Sequence, residues 1–149
     1  KTVLIAAMIM TLLQVAMGTQ VREAVDFIAR EHIDRQYWRD DFPVIFYIHR
    51  SFSSIILFTN LWLVWKLYQS VDKQSLLFRT GLALAALVVT AILAGISLDR
   101  LGVPAIAQPI HLLMANLIFG AQFFLYSCLN YAATNQALIV KSSFDNHGQ

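Results

Sequence analysis

The chain has 149 residues, 58% of them hydrophobic and 13% charged, with a formal net charge of +2 and a mean hydropathy of +0.60. An apolar share this far above that of a water-soluble domain marks a membrane protein, and the few charges sit in short segments with no basic face for a phosphate backbone, which argues against nucleic acid as a partner. One cysteine, Cys128, rules out an intrachain disulfide; within its apolar run it reads as packing.

In chain order, four segments are long enough to cross a hydrocarbon core of roughly 30 Å, which takes about 20 helical residues. They cover residues 2–22, 44–68, 76–98 and 105–132. The first is too long, and too poor in a small-residue cleavage site, for a signal peptide, so a chain opening on Lys1 reads as part of a longer one. A charged stretch from Phe27 to Phe42 follows as a long loop. Pro43 and Pro104 stand just ahead of the second and fourth spans, where a fixed φ and a missing N–H do least harm. Trp38, Trp62, Trp65, Tyr37 and Tyr68 flank the second span as interfacial belts. The third span is generic apolar sequence. Residues 142–149 form a polar tail, and residues 1–141 an all-α membrane domain, a four-transmembrane-helix antiparallel bundle. Every lysine falls on one side of this topology, and the arginines opposite are mixed with acids; the lysine side is placed in the cytoplasm and the long loop outside.

Ionisable groups inside a bilayer are costly, so each asks for a role. His32, in the charged loop, and His147, in the tail, read as solvated. His49 and His111 each lie about six residues into a span, on two spans running the same way, so at 1.5 Å per residue both imidazoles sit on the order of 9 Å below the outer surface. Positions i, i+4, i+7 and i+11 share a face: from His49 it carries Ser53, Ile56 and Asn60, and from His111 it carries Ala115, Ile118 and Gln122. The two faces match in kind. Ser53 and Ala115, small residues one turn on, leave room for a flat macrocycle.

Two imidazoles are too few for a zinc or copper site, which takes a third or fourth ligand. Haem brings four nitrogens of its own and needs only an axial pair, so the expectation is a bis-histidine haem b held by His49 and His111 near the outer face. Its propionates call for cations: Arg50 beside His49, and Arg22 at the outer end of the first span, are the candidate partners, with snorkelling to the headgroups as the alternative. Gln14, Gly18 and Arg22 form one stripe, on which the glycine brings backbone close to the ring edge.

The runs LLQVAMGTQVREAVD (12–26), IHRSFS (48–53) and PAIAQPIHLLMANLIFGAQF (104–123) resemble the C-terminal half of heme A synthase. The resemblance implies a four-helix half in which one histidine on the second helix and one on the fourth, here His49 and His111, hold a b-type haem. It further implies that the whole enzyme oxidises a methyl group of heme O to the formyl group of heme A for terminal oxidases. In the family's substrate-binding half a glutamate stands three residues before the histidine of the second helix; here that position is Phe46. The chain is therefore expected to be the cofactor half, without the substrate-oxidation site. The catalytic residues are left unassigned. Its expected partners are the N-terminal catalytic half, heme O, heme O synthase, an electron donor and the lipid of a bacterial plasma membrane. The competing readings are a small membrane b-type cytochrome electron-transfer subunit and a haem-free four-helix assembly factor, in which the histidines only join helices by hydrogen bonds.

Overall fold

A computed structural model describes residues 1–31, 38, 41–101, 103, 104 and 106–147, with side chains through 135. The described residues form four α-helices and no strand: α1 (Thr2–Glu31), α2 (Val44–Ser70), α3 (Leu76–Arg100) and α4 (Ala107–His147). Each carries a stretch long and apolar enough to cross a membrane, as in a multi-pass membrane protein. His32 lies outside the described residues.

The helix ends follow from local chemistry. Pro43 caps α2 in extended conformation, and its carbonyl accepts from Phe46 N at 2.9 Å. Ser75 caps α3, its hydroxyl accepting from Phe78 N at 3.2 Å, so an orphan N–H of the first turn is satisfied. After α3 the backbone turns through Val103, whose φ of 55° is costly for a β-branched residue. Packing compensates, because Val103 lies against Val25, Ile28 and Trp38.

The first helix runs beyond the expected end at Arg22 to Glu31, so the start of the long loop is helical. Thirty residues make a rod of about 45 Å, longer than the roughly 30 Å of hydrocarbon. The extension holds because it is amphipathic: Val25 and Ile28 bury against Trp38 and Phe42, while Arg22 and Asp26 pair on the exposed side. At the other end of the chain, α4 continues past residue 132 to His147.

Both α1 and α3 touch α2 and α4, so the helices close into a ring in which α1 faces α3, and α2 faces α4, across the middle. Connections as short as that between Ser70 and Leu76 force neighbours to be antiparallel. Leu4, Leu67, Leu84, Val88, Ile118 and Leu125 fill the interior of the ring. Ile9, Phe58, Leu93 and Leu112 turn outward, each more than half exposed, where acyl chains would meet them. Between helices in lipid the stabilisation comes from close packing and polar contacts, since burial from hydrocarbon into protein gains little.

Candidate functional site

His49 on α2 and His111 on α4 face each other across the ring. Their ring centroids are 6.4 Å apart with planes inclined at 75°. Both are half-buried. Each imidazole is backed by the helix before its own.

On the α3–α4 side, Nδ1 of His111 lies 3.0 Å from the carbonyl oxygen of Ala91. A carbonyl can only accept, so Nδ1 carries the proton and the neutral ring keeps its lone pair on Nε2. One turn along α3 from Ala91 is Gly95, where a Cβ would lie 3.3 Å from Cε1 of His111. On the α1–α2 side, Gln14 Nε2 donates to the backbone oxygen of His49 at 3.0 Å and approaches its Nε2 at 3.5 Å. One turn along α1 is Gly18, where a Cβ would lie 3.3 Å from Cε1 of His49. Nδ1 of His49 and Oε1 of Gln14 are buried without hydrogen-bond partners.

Further along the facing surfaces of α2 and α4, Ile56 and Ile118 are buried, and Gln122 Nε2 donates to Asn60 Oδ1 at 2.8 Å. Both amides are fully buried. The i, i+4, i+7, i+11 faces read from the two histidines thus do meet in the interior. Ser53 and Ala115 are half-buried on those faces, and the Ser53 hydroxyl donates to the Arg50 carbonyl at 2.6 Å.

The arginines are engaged with carboxylates. Arg50 reaches Asp99 of α3 at 3.1 Å; the arginine side chain is 49% exposed and the aspartate only 9%. Arg22 grips Asp26 with Nε and Nη2, each at 3.0 Å, on the helix surface. Phe46, three residues before His49, stacks on Phe42 at a centroid distance of 4.4 Å. At the opposite end of α2, Lys66 lies over Trp65 at 5.1 Å and Trp62 at 5.9 Å, an aromatic and cationic girdle.

The structure therefore brings together His49, His111, Gln14 and Gly18 as the sequence suggests, with Arg50 just beyond. It also adds two members from the span read as generic, the Ala91 carbonyl and Gly95, and Asp99 just past the end of that span. One signal for two of them is present in the sequence, since GTQVR (18–22) and GISLD (95–99) both set a charged residue four positions after a glycine. Among the described residues no group of three or more His, Cys, Asp or Glu could hold a metal ion, so a metal held here has to bring other ligands with it.

A family model described as cytochrome oxidase assembly protein, COX15-CtaA, matches residues 1–123, a stretch that includes both histidines. No curated protein and no solved structure matches the chain.

Proposed function

The chain belongs to the COX15-CtaA family of cytochrome oxidase assembly proteins, and on that premise we propose that it is the haem b-binding, C-terminal half of a heme A synthase. One observation carries the reading. With a metal–imidazole bond of about 2 Å, and the ring centre about 1 Å beyond the nitrogen, two imidazoles on opposite sides of one metal have centres roughly 6 Å apart. The observed separation is 6.4 Å. The donor set agrees, as a bis-imidazole pair suits a metal carrying four nitrogens of its own. So does the backbone, because glycine on α1 and on α3 leaves each ring the space that a Cβ would take.

When bound, such a haem supplies one-electron chemistry at its iron. The protein's part is to ligate and orient. His49 and His111 would hold the haem iron. The Ala91 carbonyl holds the His111 tautomer that keeps Nε2 free for the metal, the usual outer partner of a ligating imidazole. Gln14 ties the His49 backbone to α1. The buried Ile56 and Ile118 keep water from the facing surfaces of α2 and α4. Arg50 and Arg22 are the proposed partners of the propionates, exchanging Asp99 and Asp26 for them on loading.

Phe46 supports the assignment to the cofactor half, since an aromatic ring stacked on Phe42 stands where the substrate-binding half has a glutamate. The proposal extends to the partners this implies: the N-terminal catalytic half, heme O as substrate of the whole enzyme, heme O synthase as its supplier, and an electron donor. It places the protein in a bacterial plasma membrane with the haem near the outer face.

The test is optical. The purified protein is expected to show the sharp reduced-minus-oxidised bands of a six-coordinate b-type haem, and His49→Ala and His111→Ala should each abolish them. Unchanged bands in both variants would remove the ligand assignment. A protein that purifies folded and takes up no haem would instead make the histidines hydrogen-bonding joints.

A further inference from the structure

Each imidazole meets the bare backbone of a glycine, His49 on α1 and His111 on α3. A Cβ at Gly18 would meet His49 at Cε1, 3.3 Å away, and at Nδ1, 3.9 Å away; a Cβ at Gly95 would meet His111 at the same two atoms, 3.3 and 3.8 Å away. In each helix the residue four positions before the glycine also bonds the same histidine, Gln14 through its amide and Ala91 through its carbonyl. Each ring therefore lies against bare backbone on one edge; one turn away the His111 ring is bonded at Nδ1 to the Ala91 carbonyl, while Gln14 bonds the His49 main-chain oxygen and comes within 3.5 Å of its ring Nε2. The result is a near-perpendicular pair, with planes 75° apart.

We infer that Gly18 and Gly95 are positioning residues, a matched pair of stops that set the twist between the two imidazole planes. The inference rests on the haem reading above. A methyl group at 3.3 Å is inside ordinary carbon contact of about 3.5–4.0 Å, so something has to yield. The helices are fixed by packing on two sides, whereas each ring turns about the single bond to its Cβ. Ring rotation is the easiest relief. The twist matters because two imidazoles on one metal share a common axis, and their relative plane angle sets the splitting of the iron d orbitals. Near-perpendicular planes give low-spin ferric iron a strongly anisotropic electron paramagnetic resonance signal with one large g value; planes turned toward parallel give a rhombic one.

The experiment compares wild type, Gly18→Ala, Gly95→Ala and Gly120→Ala as full chains, oxidised, with excess haem added so that weaker binding does not limit the loaded fraction. Gly120 is the control, an exposed glycine on α4 whose Cβ would meet nothing within 4 Å. The large-g signal is expected in wild type and Gly120→Ala. In Gly18→Ala and Gly95→Ala the highest g value should fall and the signal become more rhombic, with a shifted midpoint potential. Wild-type spectra and potentials in both alanine variants overturn the inference. So does complete failure of both to load while their helices stay intact, because the glycines would then provide room and not orientation. Absence of any low-spin haem signal from the wild-type protein would overturn the haem reading itself.

Discussion

The α1–α2 pair and the α3–α4 pair each present one histidine to the interior, backed by one glycine, yet they secure it by different means. His111 donates through its Nδ1–H to the main-chain carbonyl of Ala91 on α3. His49 has a side-chain amide as its neighbour, and the ring Nδ1 and the Gln14 Oε1 both remain buried without partners. A helix carbonyl cannot rotate away or be deleted by substitution. A glutamine can do both, and each buried polar atom without a partner costs about 1–3 kcal/mol. The α3–α4 half is thus the fixed side of the site, and the α1–α2 half is the side with unused hydrogen-bonding capacity.

The largest effect is expected where the halves are joined. Asn60→Leu or Gln122→Leu leaves one fully buried amide facing hydrocarbon, and each should lower unfolding stability in detergent by about 1–3 kcal/mol. The double variant should lose less than the sum of the singles. Additive losses would mean that the two amides do not act as one link between the helices.

A smaller effect separates the halves directly. Gln14→Leu removes the tether on His49 but also the unpartnered Oε1, so stability should barely move. Haem retention should fall on the order of tenfold, as for loss of an outer-shell partner. Equal retention in Gln14→Leu and wild type would erase the difference drawn between the two sides.

The least effect belongs to the arginines. Arg50→Gln removes the nearer of two guanidinium partners from a largely buried Asp99, which keeps Arg100 at 3.9 Å, and should cost up to about 1 kcal/mol, since the Arg50 guanidinium itself is half exposed. Arg22→Gln breaks an exposed i, i+4 pair worth about 0.3–0.5 kcal/mol. If both arginines serve propionates, haem dissociates faster from either variant; thermal melts and haem-transfer rates, measured side by side, separate the two roles.

Much of this was legible before any fold was drawn. The four spans announce themselves because a bilayer demands long apolar runs, and the two histidines stand out because ionisable groups there need a reason. The end of α1 was not legible. Charged residues 22–31 look like loop by composition, and only the contact of Val25 and Ile28 with Trp38 and Phe42 makes them helix. Nor was the part played by α3. A glycine is ordinary in a membrane helix, and a backbone carbonyl has no residue signature at all; Gly95 and Ala91 gain their meaning from what α4 places beside them. Asp99 was visible as a charge, but its pairing with Arg50 depends on how α2 and α3 are brought together.

The girdle of Lys66, Trp62 and Trp65 at one end of α2 has the chemistry that a lipid headgroup layer holds. Seventeen residues, about 25 Å of helix, separate Lys66 from His49, so nearly the whole insulating slab lies between that layer and the imidazoles. If the imidazoles hold a haem as proposed, a redox protein docking at the Lys66 end of α2 would face a long tunnelling gap. On the same proposal, a carrier approaching from the Arg50 end, or diffusing laterally among the acyl chains, would face a short one.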